Sequence, residues 1–81
     1  MVRVTMEKPN TIGVYFTKDF DSYPEDWIEY KCERLADQGY ELTELKSSTS
    51  QGLIEATHDD QADVTLIKWY EIFDEVFDEE N

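Results

Sequence analysis

The sequence predicts an α+β fold: a two-layer domain with an antiparallel sheet of order ββ-α-βββ, one helix (about 23–38) on one face, and a short C-terminal helix. Three observations predict it. Runs of alternating apolar and polar residues, punctuated by turn chemistry, lie on both sides of a single stretch with helical periodicity. That stretch stops on a glycine, Gly39. The last alternating run, "DVTLIKWYEI", is apolar on both faces, which puts it near the middle of the sheet.

Each element has its own reason. "VRVTM" places Val2, Val4 and Met6 on one face and Arg3 and Thr5 on the other; "EKPN" turns, and "TIGVYFT" alternates again through Ile12, Val14 and Phe16. Gly13 marks a bulge or a close backbone approach in that second strand. Ser22-Tyr23-Pro24-Glu25 has the form of a capping box, and Pro24 suits a first helical turn. At 100° per residue, Ile28, Cys32, Leu35 and Ala36 share one side with Pro24 near them, while Trp27 and Lys31 lie on a flank. After Gly39, "YELTELKS", "LIEATH" and "DVTLIKWYEI" read as strands separated by the turns "STSQG" and "DDQA".

The segment "RLADQGYELTEL", followed later by "TLIKWYE", resembles the helix–Gly–aromatic–Glu–Leu strand and closing strand of a family of small domains of unknown function. The resemblance covers at most a third of the chain. It implies an α+β fold and says nothing about activity.

Composition bounds what such a domain can do. Eighty-one residues make a single domain with a small core, expected over 1–77 with 78–81 as an acidic end. The net charge is −13: residues 1–70 carry fourteen acids against seven bases, and 71–81 add six acids and no base. Such a chain repels nucleic acid and anionic membranes and is attracted to basic surfaces. One cysteine, Cys32, allows no internal disulfide. With neither an apolar leader nor a membrane-length apolar run, the expected location is cytoplasmic.

Catalytic chemistry finds little to work with. Cys32 falls on the apolar helix face, where a thiol is a small hydrophobe rather than a nucleophile. His58 is the single histidine and sits with Asp59, Asp60 and Asp63 in a turn. These could converge on a hard cation, yet the spacing is not that of an EF-hand, and Asp residues in turns ordinarily bond their own backbone. No phosphate loop or nucleophile elbow is present. The expectation is therefore no enzyme, no metal and no cofactor.

Surface character says more. Asp26, Glu29, Glu33 and Asp37 advance by three or four residues, about 5–6 Å of rise per step. A line of anions of that pitch can stand in for the phosphates of a nucleic acid, spaced about 3.4 Å per strand. Tyr23 and Tyr30 fall beside these acids, away from the apolar stripe, where tyrosine suits an interface. In the tail, Ile72, Phe73, Val76 and Phe77 define one helical face, with Asp74, Glu75, Asp78 and Glu79 opposite.

Together these predict an acidic interaction module that binds a basic, nucleic-acid-binding surface of a partner protein, in the manner of phage or mobile-element inhibitors such as DNA mimics and anti-CRISPR proteins. The contact set is Tyr23, Asp26, Glu29, Tyr30, Glu33 and Asp37, joined by Asp74, Glu75, Asp78, Glu79 and Glu80. A homodimer is compatible with the sequence; direct contact with nucleic acid or membrane is not expected. The alternative is a non-catalytic domain of a halophilic organism, its acids serving solubility in high salt.

Overall fold

The computed structural model describes residues 1–73. Its elements run β1 (Val2–Lys8), β2 (Gly13–Phe20), α1 (Glu25–Asp37), β3 (Glu41–Ser47), β4 (Gln51–Thr57) and β5 (Thr65–Glu71). All pairings are antiparallel, in the order β2-β1-β5-β4-β3. This is the ββ-α-βββ α+β fold, with β5 central as its two apolar faces require. No helix among the described residues is long and apolar enough to cross a membrane.

The core lies between the helix and one sheet face. Val2, Val4 and Met6 of β1, Ile54 of β4, Ile67 and Trp69 of β5, and Ile28 of α1 are buried together. Register explains the match: Val4 stands opposite Trp69, and Met6 and Ile54 flank Ile67 from either side. Trp69 is the largest fully buried side chain. Its ring covers Gly52, its cross-strand partner, where any Cβ would run into the indole. The indole N–H donates to the Ser48 carbonyl at 2.8 Å, so the ring is buried without an orphaned donor.

The first hairpin departs from expectation. β1 runs through Lys8 instead of stopping at Met6, because Glu7 pairs with Leu66 of β5 and Lys8 reaches the Thr65 hydroxyl at 2.8 Å. The turn therefore moves to Pro9–Ile12, where the amides of Thr11 and Ile12 both donate to the Lys8 carbonyl. Gly13 closes it with φ +84, a left-handed conformation; nothing lies within 4 Å of where its Cβ would be, so backbone freedom and not close approach selects glycine. The bulge is two residues further on. Met6 faces Phe16 but Glu7 faces Val14, leaving Tyr15 as the extra residue. One extra residue reverses the faces. Phe16 thus packs on the core, whereas Val14 and Ile12 are exposed.

The helix starts later than 23. Pro24 is its N-cap, with no side-chain cap hydrogen bond, so the Ser22–Glu25 capping box does not form. A residue before proline is disfavoured from helical geometry, and Tyr23 is instead drawn onto Trp69, ring centroids 5.8 Å apart. The C-terminus follows the sequence closely. Gly39 has φ +95, its amide donates to Ala36, and the Tyr40 amide donates to Leu35, the two bonds of a Schellman motif. Ala36, expected on the buried stripe, is exposed; the stripe is rotated toward Trp27, which stacks on Phe16 at 5.3 Å.

At the end of β5, the Ile72 amide donates to the Met1 carbonyl at 2.9 Å, extending the β1–β5 ladder where a helix was expected to begin. Phe73 is exposed. The remainder of the expected C-terminal helix, with Val76 and Phe77, lies outside the described residues, as does the boundary after 77.

Candidate functional site

Two stacked layers leave α1 with one face on the sheet and the other in water. Asp26, Glu29, Glu33 and Asp37 are all exposed there, and Glu25 adds a fifth acid at the first turn. Among the described residues the salt bridges are Arg3–Asp19 and Lys68–Glu7, both in the sheet, so none of these helix acids is neutralised by a close base.

The two flanks of the helix differ. On the side toward β2, cations sit over rings: Lys31 lies 5.5 Å from the Trp27 ring centroid, and the Arg34 guanidinium lies 5.8 Å from that of Tyr30, to whose hydroxyl it donates at 3.1 Å. Lys18 stands over Phe20 on the neighbouring strand. A groove of about 370 Å³ separates α1 from β2 here, lined by Tyr15, Phe16, Tyr30, Lys31, Arg34 and Leu35 among others. On the side toward β3 the field is negative. Burial pushes the Cys32 thiol pKa up, and the charges of Glu44 and Glu29 push it further, so the thiol stays neutral. Tyr23 is raised for the same reasons, by burial and then by Glu25 and Glu44.

Six residues of the expected contact set fall within the described chain, and they divide. Asp26, Glu29, Glu33 and Asp37 share the solvent face, and Tyr30 is exposed at their border. Tyr23 does not join them: it is half-buried against Trp69 and packs on the core. Helical spacing assigned it to the acid side, but proline forces it out of the helix, so that spacing does not apply. Asp74, Glu75, Asp78, Glu79 and Glu80 lie outside the described residues. Glu44 was missed; only pairing of β3 with β4 and packing of α1 bring its strand beside the helix acids.

The His58 turn is organised as a structural device. The Asp60 amide donates to His58 Nδ1 at 2.9 Å, and the imidazole meets Tyr40 edge-on at 5.0 Å. Asp63 turns away toward the first hairpin, accepting from the Asn10 amide and side chain, the Thr11 hydroxyl and the Val64 amide at 2.8–3.1 Å. Burial alone would raise its pKa; these donors outweigh that and hold the carboxyl below its usual range. Among the described residues, no group of three or more His, Cys, Asp or Glu side chains is arranged to hold a metal ion.

No family model, curated protein or solved structure matches this chain, and the likeness of "RLADQGYELTEL" to a family of small domains stays a local one.

Proposed function

We propose that this chain is an acidic protein-interaction module that binds a basic, nucleic-acid-binding surface of a partner protein and thereby inhibits it. The observation that carries the reading is the row Asp26, Glu29, Glu33 and Asp37 on α1, exposed and without an ion-pair partner among the described residues. Like charges one turn apart cost a helix a few tenths of a kcal/mol per pair, at most about 0.5. A helix that keeps four of them unneutralised holds a fixed line of anions ready for a cationic surface. The sheet beneath fixes the line, so little ordering is lost on contact.

A −13 chain approaches a basic surface under long-range attraction, which speeds encounter and excludes acidic competitors. Size and charge are those of DNA mimics and anti-CRISPR inhibitors of phage or mobile elements, a likeness of type. Tyr30 supplies apolar contact at the border, and the tail acids Asp74 to Glu80 add to the attraction by sequence.

The test is affinity capture from lysate at low ionic strength, eluted along a salt gradient, followed by titration of the captured protein. Binding should weaken by at least tenfold between about 0.05 and 0.3 M salt. The quadruple variant Asp26→Lys/Glu29→Lys/Glu33→Lys/Asp37→Lys should lose binding while keeping its circular dichroism spectrum. An affinity that is flat with salt, or untouched in that variant, would refute the proposal.

A further inference from the structure

The helix covers one face of the sheet, and among the described residues nothing covers the other. We propose that this open face joins a second copy of the chain, two sheets packing face to face with both helices outward. The first support is the distribution of charge. Register puts Arg3, Lys46 and Lys68 on the open face with Glu7, Asp19, Glu41 and Glu55, three bases against four acids. The rest of the chain holds four bases and sixteen acids. In a molecule of net charge −13 this one face is close to neutral, and both signs occur on it. A two-fold axis sets the same patch against itself, so a patch with both signs can complement itself where a purely acidic one cannot.

The second support is apolar area. Leu53 and Leu66 are half-buried on this face, while Val14, Leu45 and Tyr70 are each more than two-fifths exposed. Leu45 is the extra residue of a bulge in β3, between Glu44 and Lys46, which pushes it out of the ladder. It borders a hollow of about 330 Å³ that Lys46, Leu53, Lys68 and Tyr70 also line. Projection and hollow are adjacent, so each copy can seat its Leu45 against the other. Five strands of about seven residues give a face of roughly 24 by 23 Å at ordinary strand spacings, or about 1,100 Å² over two copies. That reaches the area at which specific interfaces begin, about 1,000 Å².

The acid rows on the two helices then point away from each other, which limits the repulsion that a −13 chain imposes on any self-association. This inference does not rest on the inhibitor reading, and salt separates the two. Screening weakens attraction to a basic partner but relieves repulsion between two acidic copies, so the dimer tightens as salt rises.

The experiment is sedimentation velocity on the full chain at several concentrations up to about 0.5 mM, in about 0.05 and 0.5 M salt. The expected result is a monomer–dimer equilibrium shifted toward dimer by at least threefold at the higher salt. Leu53→Lys and, separately, the exposed Tyr70→Lys should return the protein to monomer, and the helix charge-reversal variant should remain a dimer. Mixed isotope-labelled samples should give intermolecular contacts among Leu45, Leu53, Leu66 and Tyr70. Monomer at every concentration and salt would overturn the proposal. So would a dimer whose intermolecular contacts lie on α1 or a sheet edge, or one that survives both substitutions.

Discussion

Trp69 and Gly52 show what a single cross-strand pair can demand. The indole occupies the space a side chain at position 52 would need, so Gly52→Ala forces the ring or the backbone aside. Overpacking of this kind costs about 1–3 kcal/mol, and the melting temperature should fall by about 5–20 °C. A melt within 2 °C of wild type, roughly the noise of such scans, would mean that the ring has room to move. Asp63 makes a pH prediction. Its folded pKa is depressed, so the stability it adds is present above the unfolded value, about 4, and is lost as pH falls through the lower folded value. Protonating the other acids relieves repulsion over the same range, so the difference between variants is the quantity to read. Asp63→Asn should be less stable than wild type at pH 7, and the gap should close toward pH 2, measured by urea melts. Neither residue announced its role in the sequence. Gly52 reads as part of a turn and Asp63 as one of several turn acids; their partners lie seventeen and more than fifty positions away.

Elements divide between those set locally and those set by their neighbours. The end of α1 is local: glycine at position 39 supplies the left-handed conformation, and Gly39→Ala should cost about 1–2 kcal/mol in a denaturant melt. Its Cβ would also meet the His58 ring at 2.9 Å, which makes the site less forgiving than an open one. The start of α1 follows a different rule. With Pro24 at the N-cap and no side-chain cap bond, Ser22→Ala should change stability by less than about 0.5 kcal/mol. A loss of 1 kcal/mol or more, typical of a removed cap, would show that Ser22 does cap the helix in solution. β2 illustrates the same division. Its alternation is visible in "TIGVYFT", but the bulge at Tyr15 decides which of those residues reach the core, and the bulge is fixed by the register with β1.

At the scale of the whole molecule, charge is the property that organises behaviour. Five of the seven bases have close partners: Arg3 and Lys68 make ion pairs within the sheet, and Lys18, Lys31 and Arg34 lie over aromatic rings on the β2 side. The acids of α1 and Glu44 of β3 are left to dominate the other flank. Self-repulsion should make the melting temperature rise by several degrees between about 0.02 and 0.3 M salt, where screening becomes effective. A domain adapted to high salt would behave otherwise and be largely unfolded without molar salt. A cooperative melt well above room temperature at low salt would exclude that alternative.

By itself the sequence determined the fold class, the order of elements, the central place of β5, the glycine stop of α1 and the solvent face of Asp26, Glu29, Glu33 and Asp37. These follow from periods of two and 3.6 residues and from backbone chemistry, which act over a few positions. Tertiary structure alone decided that Tyr23, already kept out of the helix by Pro24, packs on Trp69, that Glu44 lies beside the acid face, that β1 extends to Lys8, and that one sheet face is nearly neutral. Each of these depends on which distant residue stands opposite, and the local period is silent about that.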